Sequence, residues 1–530
     1  MRNIKLWQIY RRTFITSVRA RVQEEINKSK TRVTTKPCAP NKVSELAETC
    51  IVDPRKPEPC VVIVGAGIAG LSAAHRLVQC GVKTVSVLEA TDRLGGRIHS
   101  CWIGDVVAEM GAQYIEGGCI ANSIFTLASQ EGLLKSPLQR QDLSRGLFCT
   151  SDGRALDSSL SITACHIFQQ IERQATALFS TEGCGNDHGS LQNFMTIRIQ
   201  QELLKFPEVE RYDAARIMYG MSNCVRCRCG DDLSLISADN FGSFVEIPGG
   251  NIRVPLGFVG VLAPLLRDLP DDIIHYKKPV ENIQWDLLNS KSPRVIVKCC
   301  DGEEFPADYV IVTVSLGVLK AQAEKLFCPT LTYEKKTAIN KLGYGKVSKI
   351  FLQYERPFWV WKEGNIKLAW SPEELEDRTE WAKGLCMFEE MAGSQHVLCA
   401  WVAGQEAEFM ENCSDEEIAS SMTRILRRFT GDPSLPYPNN VLRSKWCTDP
   451  YFRGAYSYMG IESSVRHQRD LEAPFPSPSE SNIPKLFFAG EATSPTHYST
   501  VHGARFTGIR EAERILDLTR RLRGPPKSGS

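Results

Sequence analysis

Val61-Val62-Ile63-Val64-Gly65-Ala66-Gly67-Ile68-Ala69-Gly70 decides how the rest of this 530-residue chain is read. Four apolar residues predict a short buried strand, and the glycines after them predict a tight turn into a helix running to about Gln79. Gly65 permits the turn, Gly67 lets the backbone approach a pyrophosphate, and Gly70 lets helix and strand pack closely. The start of that helix offers unpaired N–H groups and a partial positive charge to a diphosphate. A second apolar strand, Val85-Ser86-Val87-Leu88, ends on Glu89, 24 residues after Gly65, where a carboxylate can accept from a ribose diol. A lone GxGxxG is weak evidence. Strand, turn, helix, strand and acid in this order specify a dinucleotide site.

Arg93-Leu94-Gly95-Gly96-Arg97 follows within a few residues. Paired glycines bring backbone close to phosphate, and guanidinium groups contact phosphate in a bidentate way. Beside the first motif, this second turn points to FAD rather than NAD. At 530 residues two or three domains are expected, and 42% hydrophobic with 24% charged residues is ordinary for a globular protein. A net charge of +1 argues against a surface that coats nucleic acid. Nothing in the sequence signals an oligomeric state.

Nineteen cysteines are scattered, odd in number and without framework spacing, so a reduced protein is expected. Cys224, Cys227 and Cys229 form a C-x2-C-x-C cluster with no second pair at zinc spacing. They read as plain thiols on a surface loop, and no metal is expected. In residues 1–57, Arg2, Lys5, Arg11, Arg12, Arg19 and Arg21 all precede the first acid, Glu24, interleaved with apolar residues. That pattern is either an arginine-rich transit peptide or a disordered basic extension. The expected compartment is cytoplasmic, with mitochondrial as the alternative. No apolar run reaches the ~20 residues of a membrane span.

Apolar strands recur at Tyr309-Val310-Ile311-Val312-Thr313-Val314 and at Leu486-Phe487-Phe488-Ala489-Gly490-Glu491. The latter leads into a helix predicted from about Gly503 to Leu518. Strands at the start, middle and end predict an α/β, Rossmann-type FAD-binding domain assembled from discontinuous segments: 58–140, 248–325 and 479–522. The intervening 141–247 and 326–478 would form an α+β substrate-binding domain, with a leader at 1–57 and a tail at 523–530. Residues from about Ser123 to Gln200 read as mostly helical. Val254 to Leu266 reads as a turn entering an apolar helix, and Val295-Ile296-Val297 with Asp301-Gly302 as a hairpin.

Along Lys346–Tyr354, apolar and polar positions alternate so that Lys349 shares a face with Val347 and Phe351. An ammonium there is either desolvated, with a lowered pKa suited to proton handling, or snorkelling to a sheet edge. By pattern alone the second reading is favoured. Resemblance reverses that preference. Lys346–Trp359 is similar to the strand that holds the flavin-site lysine of the polyamine oxidases, where the lysine keeps a water at the flavin. Lys278-Pro279-Val280, Val312 to Lys320, Asp449 to Tyr458, Phe488 to Thr493 and Tyr498 to Ala504 resemble further segments in family order, from about Cys60 to Leu518. The whole resembles the flavin-containing polyamine oxidases of the flavin amine oxidase fold, of spermine oxidase and acetylpolyamine oxidase type.

The resemblance implies roles for matching residues. Glu89 would hold the adenosine ribose, Arg97 the diphosphate and flavin, Val280 the adenine through its backbone, and Glu491 the ribityl chain. Thr500 and Val501 would lie near the flavin ring, Trp446 and Tyr456 would pack around it, and Tyr498 would face substrate. Aromatic walls exclude water and attract cationic nitrogens. Two departures stand out. Where animal polyamine oxidases have Trp-Ile-His-Gly, this chain reads Tyr114-Ile115-Glu116-Gly117, so Glu116 either pairs with a substrate ammonium or is a solvated carboxylate. Where monoamine oxidases attach FAD through a cysteine, this chain has Ala455, so FAD would be non-covalent. The implied activity is oxidation of a secondary amine of spermine, spermidine or an acetylated polyamine by O2, with Lys349, Tyr498 and Glu116 as catalytic residues. Glu246 joins Glu116 as a candidate for the distal ammoniums. The rivals are a lysine-specific histone demethylase-like or other amine oxidase and a flavin-binding scaffold without turnover.

Overall fold

The computed structural model describes residues 58–134, 138, 146–179, 187–285, 295–359, 365–377, 379–391, 393–394, 396–477 and 483–519. The expected leader and the tail at 523–530 lie outside them. Two sheets carry the architecture. The first is five-stranded and parallel, in the order Leu486–Phe488, Tyr309–Val312, Val61–Val64, Val85–Leu88, Ile274–His275. Strands from the start, middle and end of the chain are thus neighbours, as the sequence predicts.

Both faces of this sheet are covered, which is why its strands are continuous apolar runs rather than alternating ones. Val61 and Ile63 point into one core with Val85, Val87, Ile311 and Phe487, against Leu71 and Leu77 of the Ile68–Gln79 helix and Ile515 of the Val501–Leu518 helix. Val62 and Val64 point the other way, with Val310, Val312, Leu486 and Phe488, against Leu316 and Leu319 of the Leu316–Leu326 helix. Each such buried aliphatic side chain contributes roughly 1.5–3 kcal/mol over an exposed one. Substitution by a polar residue on either face would leave an unpaired group in a dry layer.

The second sheet has six strands, in the order Asn440–Arg443, Val347–Gln353, Val397–Ala403, Leu385–Glu390, Asn365–Ala369, Leu147–Thr150. All pairs are antiparallel except the last. The Arg211–Cys229 helix packs across it: Asn223 Nδ2 donates to the carbonyls of Lys383 and Leu385 at 3.3 and 3.0 Å.

The stretch from Ser123 to Gln200 is mostly helical, as expected, and also holds the strand Leu147–Thr150, which finds its partner more than 200 residues downstream and so leaves no local signal. Three sequence expectations are corrected. The expected single helix before Leu266 is a 3-10 turn, Phe258–Leu262, followed by a separate turn, Ala263–Arg267, with Pro264 at its start. The final helix begins at Val501, not Gly503, because Thr500 caps it by accepting from Gly503 N–H at 3.0 Å. Cys224, Cys227 and Cys229 are not on a surface loop. They occupy the last turns of the Arg211–Cys229 helix, which ends at Gly230 in the left-handed conformation (φ 100°).

Candidate active site

The glycine turn is set by close approach. Gly65 has φ 109°, and a Cβ on Gly70 would stand 2.0 Å from the Gly65 carbonyl oxygen. A Cβ on Gly67 would meet no protein atom within 4 Å and would stand in the cavity that Gly67 lines. The buried Glu89 carboxylate accepts from Ala66 N–H at 2.9 Å, Thr91 N–H at 2.9 Å and Thr91 O–H at 2.7 Å. It therefore staples the turn while keeping lone pairs for a further donor. Arg97 pairs with Glu491 at 2.8 Å and donates to the Ala455 carbonyl at 2.8 Å. Glu491 also accepts from Ser457 O–H at 2.6 Å and Ser499 N–H at 2.8 Å, so two distant segments and its own loop converge on one carboxylate. Val280 opens the Val280–Gln284 strand at the cavity edge, and Thr500 and Val501 start the final helix against it.

Lys349 stands in the middle of the six-stranded sheet and is only 3% exposed, so it does not snorkel. Its cross-strand neighbour is Trp401, whose ring centroid lies 4.2 Å from the ammonium. Nζ donates to three acceptors: Glu109 O at 2.9 Å, Gly111 O at 2.8 Å and Gln113 Oε1 at 2.8 Å. An ammonium has three protons, and here each has a protein acceptor. Desolvation nevertheless pulls its pKa down to about 8, opposed by Cys399, Glu109 and Glu389. Gln113 is held in turn, donating to Tyr114 O–H at 3.1 Å, and that hydroxyl donates to Glu389 at 3.3 Å.

Around the lysine the walls are aromatic. Trp446 donates to the Met110 carbonyl at 2.8 Å and meets Phe452 edge-on at 5.0 Å. Tyr456 donates to the Cys227 carbonyl at 2.8 Å, satisfying one of the acceptors that the end of the helix leaves open. Tyr498 shares a 3.2 Å hydrogen bond with Ser243, lies edge-on to Phe244 at 5.6 Å, and is pushed up to about 12 by burial. Glu116 ends the Tyr114–Glu116 strand with its side chain exposed toward the cavity, and no hydrogen bond to its carboxylate is made among the described residues. Desolvation pushes that carboxyl up to about 7, with Arg228 pulling it down and Glu246 pushing it further up. Arg228 is itself paired with Glu172.

These groups share one cavity of ≈ 1170 Å³. Glu89, Arg97, Glu116, Val280, Lys349, Trp446, Tyr456, Glu491, Tyr498, Thr500 and Val501 all line it, with Gly65 and Gly67. Gly70 does not, since its part is packing. The volume exceeds the roughly 300–1,000 Å³ typical of a small-ligand site, as a dinucleotide plus a slender substrate would need. Sequence reading missed Trp401, Gln113, Ser243 and Phe244. Trp401 becomes a partner of Lys349 only through sheet register, which no local pattern reveals. Among the described residues no group of His, Cys, Asp and Glu side chains is arranged to hold a metal, and no helix is long and apolar enough to cross a membrane.

A family model described as flavin containing amine oxidoreductase matches residues 68–516. The chain is 36% identical over 488 residues to the peroxisomal N(1)-acetyl-spermine/spermidine oxidase of Bos taurus, which spans 87% of this chain and 95% of that protein. A protein of Arabidopsis thaliana described as a probable polyamine oxidase is 30% identical over 534 residues, spanning 86% and 98%. Among solved structures, a double mutant of putrescine oxidase redesigned in its cofactor binding matches with a TM-score of 0.64 at 20% identity, over 87% of this chain and 99% of that one, a likeness of fold. The open backbone at Gly67, the buried Glu89 acceptor and the Arg97–Glu491 pair fit a flavin dinucleotide along the glycine-turn side of the cavity. This chain therefore belongs to the flavin-containing amine oxidoreductase family, with FAD as its cofactor.

Proposed function

We propose that the chain is a polyamine oxidase, oxidising a secondary amine of spermine, spermidine or an acetylated polyamine with O2 to an aldehyde, a shorter amine and hydrogen peroxide. One observation carries this reading: the cavity that begins at the glycine turn continues into an aromatic chamber holding the carboxylates of Glu116, Glu172 and Glu246. The names of the relatives support it. FAD, when bound, supplies the two-electron acceptor that dioxygen regenerates.

The protein's part is to bind, orient and desolvate. Trp446, Tyr456, Tyr498 and Phe244 exclude water from the amine, which disfavours the ammonium form at the reacting nitrogen. Glu116, with no internal partner to give up, takes a distal ammonium of the substrate, and Glu246 assists. Arg228 beside them limits how much positive charge that end accepts. Lys349 holds and moves a proton at Nζ. To hold a water as well, it must release one of its three acceptors, and Gln113 is the one whose side chain can turn away.

The proposed domain division is supported by the two main sheets: the strands of the parallel sheet fall within 58–140, 248–325 and 479–522, and those of the six-stranded sheet within 141–247 and 326–478. With Ala455 at the place where a linking thiol would stand, FAD is held without a covalent bond. The compartment is cytoplasmic, or mitochondrial if the basic leader directs import. The test is peroxide release from FAD-loaded protein given spermine, spermidine and their acetylated forms. Turnover of at least one supports the reading; bound FAD with no turnover of any would favour the scaffold.

A further inference from the structure

Five cysteines line the cavity, Cys224, Cys227, Cys229, Cys300 and Cys386, and the amine chemistry uses none of their thiols. Three of them meet. Cys224 and Cys227, three residues apart, share a face of the Arg211–Cys229 helix. Cys386 lies on the Leu385–Glu390 strand against which that helix packs. Cys227 and Cys386 sit in one buried hydrophobic cluster, and Cys224 packs against it. Cys227 and Cys386 are buried, whereas Cys224 is half-buried on the cavity wall, where a small solute reaches it.

Access divides the chemistry between them. Cys224 is reached from the cavity while Cys386 is buried beside it, the arrangement of an attacking and a resolving cysteine. The neighbouring Cys386 thiol and the Lys367 ammonium favour the Cys224 thiolate against desolvation. Cys229 has no such help, and burial pushes it up to about 11.

We propose that Cys224 and Cys386 form a peroxide-oxidisable thiol pair in the cavity wall, closing to a disulfide when hydrogen peroxide builds up beside them. The Cys224 thiolate attacks one peroxide oxygen; an S–O bond forms, the O–O bond breaks, and hydroxide leaves and is protonated to water. The Cys386 sulfur then attacks the Cys224 sulfenic sulfur; the S–S bond forms, the S–O bond breaks, and water leaves with the Cys386 proton. Two thiols and one peroxide become one disulfide and two waters, the sulfurs losing the two electrons that the peroxide gains. The bridge ties the last turns of the helix to the strand. Those turns carry the Cys227 carbonyl that positions Tyr456, so closure distorts the aromatic wall and lowers amine turnover. The proposal rests on the polyamine oxidase reading for its natural source of peroxide, but not for the reaction of the pair itself.

The test adds hydrogen peroxide directly to FAD-loaded wild-type protein without amine, blocks the remaining thiols and maps peptides without reduction. The expected product is a Cys224–Cys386 peptide lighter by two hydrogens, with loss of amine turnover that dithiothreitol restores. Cys386→Ser should keep its initial rate and accumulate a dimedone-reactive sulfenic acid at Cys224 in place of the disulfide, and Cys224→Ser should give neither. Full alkylation of Cys224 and Cys386 after peroxide, or a Cys227–Cys386 bridge in place of the expected one, would overturn the assignment. Because peroxide is supplied, the map answers even if no polyamine proves to be a substrate.

Discussion

At the glycine-turn end of the cavity, Gly65, Gly67, Gly70 and Glu89 fall within one 25-residue stretch, whereas Glu116, Lys349, Trp401, Trp446 and Tyr498 at the amine end span 383 residues. The first end is a backbone device: a strand, a turn and a helix start that work because side chains are missing. The second is a side-chain device, held together by sheet register and by hydrogen bonds between segments far apart in sequence. Geometry within one supersecondary unit is robust and hard to adjust. Geometry assembled across segments can be altered residue by residue, which is where a single change at a position such as Glu116 can enter.

The largest separation between the two ends should come from Gly70→Val. With a Cβ 2.0 Å from the Gly65 carbonyl oxygen, the helix cannot seat. Overpacking of this kind costs about 1–3 kcal/mol, equivalent to roughly 5- to 150-fold in FAD affinity, and activity should fall with it. Fluorescence titration with FAD checks this; wild-type affinity would show that the turn is not a close-packed device. Lys349→Met should do the opposite, keeping FAD while lowering kcat by about 10²-fold, the scale of a lost proton-handling group. Unchanged rates of flavin reduction and reoxidation would remove the lysine from the mechanism.

Glu116→Gln should act on binding alone, raising KM for a polyamine about tenfold, or 1.4 kcal/mol, with kcat little changed. The sign of its pH dependence follows from its raised pKa of about 7. Above that pH the carboxylate is charged and holds an ammonium; as pH falls through 7 it takes a proton and KM rises. The Gln variant should lose this limb, and a limb that persists in it belongs to another group. The smallest effect is expected from Gln113→Ala. Removing one acceptor of the Lys349 ammonium disfavours the charged form, so the limb assigned to Lys349 should move below about 8 by up to roughly one unit, the worth of a single hydrogen bond. An upward move would mean that Gln113 does not stabilise the charge.

How much could be read from the chain follows the same division. The parallel sheet and the dinucleotide turn were legible because each strand is an apolar run and each glycine has a local reason. Val295–Cys299 and Glu304–Ala307 likewise form the antiparallel hairpin that the Asp301-Gly302 turn announces. Lys349 was legible only through family resemblance, since alternation along one strand cannot show whether its partner strand supplies an aromatic ring or open water. Trp401, Ser243 and Phe244 carried no signal, because their meaning arises from pairing across the sheet or across the cavity. The thiols on the Arg211–Cys229 helix were misplaced for a related reason. The polar face of that helix hides its apolar contacts with the six-stranded sheet, and only packing shows that the cysteines face inward.

Anaerobic mixing of FAD-loaded protein with spermine, followed by the yellow absorbance of the flavin, tests most directly whether the nucleotide and the amine share one cavity. Bleaching is expected in the wild type, slowed in Lys349→Met at equal FAD content. Yellow colour that persists with every polyamine offered would contradict it.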